Sequence, residues 1–158
     1  MMNTIMLRAM APADADAVAE LIVAAFAAQA VEVDPPASAL RVTAADVLEH
    51  LENSGGAVAK QGGAVVGAVL WGAKEGGLYV ARLAVHPGWR RQGIARRLLD
   101  AAEEEARRAG MPRMHLGTRL RLSDNRRLFT ACGFREVAYH AHPGYAAPTW
   151  VEMEKRLG

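Results

Sequence analysis

The stretch Leu83-Ala84-Val85-His86-Pro87-Gly88-Trp89-Arg90-Arg91-Gln92-Gly93-Ile94-Ala95-Arg96-Arg97 decides the fold. Its apolar start, ended by a proline, reads as a strand, and its second half opens a helix whose buried face is Ile94, Leu98, Ala102 and Ala106. On the outer face Glu103 precedes Arg107, and Glu104 precedes Arg108, by four positions, the favourable order for ion pairs. Gly110 and Pro112 stop this helix, and residues 113–119 read as the next strand. A strand, a helical crossover and a strand together call for a parallel strand pair. A helix N-terminus carries partial positive charge and unpaired N–H groups, so acids normally fill its first turn. Here Arg90, Arg91, Arg96 and Arg97 crowd that end, with no acid before Asp100. The arrangement opposes the helix dipole unless an anion rests on the amides, and Gly93 and Ala95 keep the approach open. The plain alternative is a glycine-started helix with surface arginines.

Outward from this segment, residues 3–9 can form a strand, and Pro12, Asp14 and Asp16 mark a helix start. Val18, Leu21, Ile22, Ala25 and Phe26 give that helix one buried stripe, and Asp34, Pro35 and Pro36 break the chain. Thr43 with Asp46 has capping-box spacing before a short helix with Val47, Leu48 and Leu51 on its apolar face, ended by residues 53–56. Residues 57–60, 64–73 and 78–86 read as a β-meander with turns at 61–63 and 74–77. Past the crossover come a helix at 123–132 ended by Gly133 and strands at 134–142 and 149–157. The order β-α-α-β-β-β-α-β-α-β-β predicts an α/β domain of the α+β type, with a mixed, mostly antiparallel sheet, occupying residues 1–158 as one domain.

The composition narrows the function classes. The 158 residues are 51% hydrophobic and 23% charged, ordinary values for a globular chain. One cysteine, Cys132, allows no internal disulfide and reads as an ordinary buried thiol. No run approaches the roughly 18 apolar residues of a membrane span, and the N-terminus lacks a signal-peptide core, so a cytoplasmic location without membrane contact is expected. Net charge is +2, but residues 90–127 hold eleven arginines against five acids. Arginine's planar fork suits phosphate oxygens. The segment lacks a G-K-[ST] loop and a G-x-G-x-x-G turn, which excludes P-loop and dinucleotide sites. It also lacks the interleaved aromatics of a single-strand nucleic-acid platform, so no nucleic-acid partner is expected. His140 and His142 stand two apart, but no third ligand accompanies them and no metal is expected.

Arg90-x-x-Gly93-x-Ala95 after the strand Leu83-Ala84-Val85 resembles the acyl-CoA signature of the GNAT N-acetyltransferase superfamily. Leu128-Phe129-x-x-x-Gly133-Phe134 is similar to the family's later helix-to-strand motif, and Met153-Glu-Lys155-Arg-Leu157 to its closing strand. The resemblance implies a seven-stranded sheet flanked by about four helices, with a bulge that splays the two central parallel strands into a V. It implies acetyl-CoA as cosubstrate and an amine, attacking the thioester directly, as acceptor, with a small-molecule amine set ahead of a peptide amine. Backbone groups of Leu83 and Val85 would pair with the pantetheine arm, and the N–H of Val85 would donate to the thioester oxygen. The pyrophosphate would rest on Arg90, Arg91, Gln92, Gly93, Ile94, Ala95 and Arg96, and Asn125 and Phe129 would flank the arm. Family members commonly have Tyr at the position of Phe129, where a hydroxyl protonates the leaving sulfur; Phe129 cannot. Their usual Asn falls where Leu122 stands here. For the base, Glu32, Asp34 and Glu75 lie in loops, and His86 is the nearest candidate to the cofactor motif. Tyr139, His140, His142, Tyr145 and Trp150 are expected to line the acceptor end or a homodimer contact. The rival readings are a non-catalytic acyl-CoA-binding module, which Phe129 favours, and a nucleic-acid binder.

Overall fold

The computed structural model describes residues 4–29 and 31–158. The elements are β1 (Ile5–Ala9), α1 (Ala15–Ala27), α2 (Ala44–Asn53), β2 (Gly55–Gln61), β3 (Ala64–Lys74), β4 (Gly77–Val85), α3 (Ile94–Arg108), β5 (Arg113–Arg119), α4 (Ser123–Ala131), β6 (Arg135–His140) and β7 (Trp150–Arg156). They build one seven-stranded sheet in the order β1-β2-β3-β4-β5-β7-β6. Every pairing is antiparallel except β4 with β5, joined through α3. Asn3, placed in the first strand by the sequence reading, lies outside the described residues.

Side chains of β2 and β3 alternate between two cores because successive strand residues face opposite ways. Ala57, Ala59 and Val69 join α3 and Phe129 of α4 on one face, while Val58, Ala68 and Leu70 join α1 and α2 on the other. These strands are therefore apolar on both faces until their ends, at Lys60-Gln61 and Lys74, and Leu98, Val58 and Val69 are fully enclosed. Gly67 lets α3 lie low on the sheet, since a Cβ there would come within 2.8 Å of Ile94 and 3.0 Å of Leu98.

Local signals fix the helix ends. Thr43 Oγ1 accepts from the Asp46 N–H at 3.2 Å and Asp46 accepts from the Thr43 N–H at 2.9 Å, a complete capping box. Before α1, the buried Asp14 carboxylate accepts from Ala11 N–H and from both Nη groups of Arg8, each at 2.8 Å. On α3 the Arg107–Glu103 pair forms at 3.0 Å, but Arg108 pairs with Glu105, three residues back, and not with Glu104. Both partners lie on neighbouring rows of a helix, and the Glu105 carboxylate takes two bonds from Arg108. The strand read to run through residue 142 ends at His140, so His142 lies in the connection to β7, and the strand read to reach His86 ends at Val85.

The central pair is the irregular place. Only Leu78–Met114 and Tyr79–His115 are in register between β4 and β5. Across β3, Leu70 faces Arg82 and Trp71 faces Val80, leaving Ala81 as an extra residue of β4. This bulge bends β4 away from β5 and opens the sheet into a V.

Candidate active site

Beyond the bulge, β4 keeps β3 on one edge and loses β5 on the other. The His86 N–H donates to Val66 C=O at 2.8 Å. Hydrogen-bonding residues alternate along an antiparallel strand, so Ala84 bonds toward β3 while the N–H and C=O of Leu83 and Val85 face the open side. They form a ready strand edge inside the domain.

The V holds a cavity of about 300 Å³. Leu83, Asn125 and Phe129 line it, with Leu116, Leu122 and Trp150 completing an apolar wall. Phe129 is 7% exposed and meets Phe134 edge-on, the ring centres 6.0 Å apart. Leu122 lies where the family resemblance leads one to look for Asn, and Asn125, one turn on, supplies the polar group that reaches the cavity.

Past the open edge, Pro87–Trp89 form a 3-10 turn and lead into the N-terminus of α3. Arg91 (φ 64°) and Gly93 (φ 78°) both take left-handed conformations. Such turns direct successive N–H groups into one concavity. Gly93 is the N-cap, and no side chain caps the helix, so its first amides keep their donors unpaired. Ile94 anchors this turn in the core at 2% exposure, while Arg91, Gln92 and Arg96 stand in solvent and Ala95 is half-buried.

The arginine segment divides once its contacts are known. Arg107, Arg108, Arg113, Arg126 and Arg127 pair with carboxylates. Arg90 donates to Ala25 C=O at 3.0 Å, closing the end of α1, and Arg97 donates to Ile5 C=O at 3.1 Å, holding β1. Two of the four cations at the head of α3 thus have structural partners, which corrects the view that all four wait for an anion. Among the described residues no hydrogen bond or ion pair holds Arg91, Arg96 or Arg121. The first two flank the unpaired amides.

His86 Nδ1 accepts from the Gly88 N–H at 3.0 Å and so caps the 3-10 turn; His86 does not line the cavity. Instead Tyr79, Arg82, Thr118, Arg119 and His142 supply its polar groups. His142 Nδ1 bonds Thr149 Oγ1, which also accepts the His142 backbone N–H at 3.0 Å. Burial, then the nearby Arg119 charge, lower the imidazole below its ordinary value. Tyr145 donates to Asp34 at 2.7 Å and ties the β6–β7 connection to the α1–α2 connection. His140 stacks on Trp150 at 4.3 Å and bonds Glu152, and Tyr139 bonds Glu136 on the exposed side of β6, so neither joins the cavity. Glu75 occupies the β3–β4 turn. Among the described residues no group of three His, Cys, Asp or Glu side chains could hold a metal ion. Cys132 is half-buried, and burial raises its thiol pKa.

Solved structures share this architecture. PaiA N-acetyltransferase of Thermoplasma acidophilum, in complex with coenzyme A, superposes with a TM-score of 0.80 at 16% identity, over 98% of this chain and 99% of that one. The ribosomal-protein-S18-alanine N-acetyltransferase of Escherichia coli gives 0.75 at 18% identity, over 97% and 94%. The yncA protein of Salmonella typhimurium, solved with its cofactor acetyl-CoA, gives 0.72 at 23% identity, over 98% and 95%. No curated protein matches the sequence. The model of the acetyltransferase (GNAT) family matches residues 17–134, from α1 through α4 to Phe134, and so takes in the bulged strand, the V and the arginine-flanked helix. The chain belongs to the GNAT acetyltransferase family.

Proposed function

We propose that this protein transfers an acetyl group from acetyl-CoA to an amine. The observation that carries the reading is the free edge of Leu83 and Val85, which runs from the cavity to the uncapped, arginine-flanked start of α3. An extended polar arm ending in a diphosphate fits that sequence of surfaces: strand-like backbone groups, then converging amides with Arg91 and Arg96 beside them. Acetyl-CoA supplies an acyl thioester already activated toward nucleophiles.

The residues have separable tasks. Leu83 and Val85 hold the arm as an added strand, and the Val85 N–H donates to the carbonyl oxygen of the thioester, where charge grows during attack. Asn125 and Phe129 bound the arm from α4. The attacking amine must be neutral, and His142 is the proton acceptor in this reading. With Nδ1–H donating to Thr149 Oγ1, Nε2 presents a lone pair, and the depressed pKa keeps the ring neutral at pH 7. Phe129 offers no proton to sulfur; a thiol with a pKa near 8.5 can leave as thiolate and be protonated by solvent.

Calorimetry with coenzyme A, followed by free-thiol release from acetyl-CoA over a panel of amines, tests the assignment. Arg91→Glu and Arg96→Glu are expected to weaken binding by tenfold or more without changing the thermal midpoint. Unaltered affinity in both would remove the phosphate site. Binding without thiol release across the panel would favour the non-catalytic acyl-CoA module, the reading that Phe129 supports.

A further inference from the structure

We infer that the acceptor is a small amine that also carries an anionic group, such as the carboxylate of a free amino acid, held by Arg82 and Arg119. The inference rests on the acetyltransferase reading and adds the chemical class of its acceptor.

Both arginines line the cavity, and both lie on its α1 side. On β4, Val80 and Leu83 pack in the α3 core while Ala81 and Ala84 pack in the α1 core, which puts Arg82 with the latter. On β5, Met114 and Leu116 point to the α3 core, so Arg119 faces the other way. Ala37, Ser38 and Ala39 of the α1–α2 connection close the cavity on this side.

Among the described residues neither guanidinium has a counter-ion in contact. Arg82 donates to the neutral Ser38 Oγ at 2.9 Å. Arg119 donates to the carbonyls of Pro35 at 2.5 Å and Pro36 at 3.4 Å, bonds that orient its plane without cancelling its charge. Asp34 acts on Arg119 electrostatically but forms no ion pair with it, and its carboxylate is engaged by Tyr145. Among the described residues no Asp or Glu lines the cavity, whose remaining titratable groups are His142 and Tyr79. Two partly buried positive charges facing a half-open cleft without an acid disfavour any polycationic acceptor. They favour an anion, and each fork retains N–H donors beyond those already used. The same field favours the neutral form of the nearby amine, the form that attacks. A volume of about 300 Å³, partly needed for the thioester, suits a molecule of amino-acid size.

The test titrates the coenzyme A-saturated protein by calorimetry with free L-amino acids, each beside its carboxamide and its decarboxylated amine. At least one amino acid is expected to bind ten to a hundred times more tightly than its two uncharged-end counterparts, the range that a charge-assisted hydrogen bond gives. Arg82→Met should remove most of that advantage and Arg82→Lys should restore part of it. Arg119→Met, which also frees the Pro35 carbonyl, is read beside Arg119→Lys for the same reason. Amides or plain amines binding as well as the acids, no measurable binding of any acid, or an advantage that survives both Met variants would each overturn the inference. Failure of the enzymatic reading is seen separately, as failure of acetyl-CoA itself to bind.

Discussion

Replacing Gly93 by alanine separates what the glycine does for folding from what it does for binding. Gly93 caps α3 with φ 78° and ψ 8°, and a Cβ built on it meets nothing within 4 Å. The folding cost is therefore that of a left-handed alanine alone, about 1 kcal/mol, with no added steric clash. In a chain of this size that lowers the thermal midpoint by about 2–4 °C. If a diphosphate rests on the following amides, the same methyl group stands in its path, and the dissociation constant for coenzyme A should rise tenfold or more, about 1.4 kcal/mol. Gly62 in the β2–β3 turn is a matched control: it has φ 60° and equally open surroundings, away from the V. Thermal melts and calorimetry on Gly93→Ala and Gly62→Ala should give similar losses of stability and very different affinities. Equal affinities in the two variants would refute the argument that α3 begins at a phosphate site.

Three further outcomes follow from particular contacts. Arg8 holds the Asp14 carboxyl near a pKa of about 2, against 3.8 when unpaired, so its contribution is whole above pH 3.8 and is lost as pH falls through 2. Because Arg8 is half-exposed the contribution is discounted to about 1 kcal/mol, and urea midpoints of Asp14→Asn should lose the corresponding pH dependence in that window. If His142 is the base, His142→Gln should lower kcat by about a hundredfold or more and abolish the acid limb of kcat/KM, which is expected below pH 6.5 because the imidazole titrates below its ordinary value. A limb that persists in the variant assigns it to another group. Phe129→Tyr should keep coenzyme A affinity and raise turnover by giving the leaving sulfur a proton donor; an unchanged kcat would mean that this proton transfer does not limit the rate.

The relation between sequence and structure differs from element to element. The Thr43–Asp46 capping box, the apolar stripe of α3 and the turn at Gly62 are local, and each was legible because helix and turn geometry involve residues within four positions of one another. The splayed pair was legible through the resemblance, while the bulge that causes it, at Ala81, carries no local signal: it exists only as a slip in register against β3.

Sequence alone determined the class of fold and marked the start of α3 as a proposed anion site, because hydrophobic periodicity and a glycine among arginines write themselves in short segments. Tertiary structure alone decided which of those arginines have partners elsewhere in the fold. Arg90 and Arg97 find carbonyls 65 and 92 positions away, leaving Arg91 and Arg96 at the helix start. It also set His86 on the 3-10 turn, outside the cavity that Arg82, Arg119 and His142 line. Those three come from β4, β5 and the β6–β7 connection, and no spacing along the chain encodes an encounter made by sheet order and strand twist.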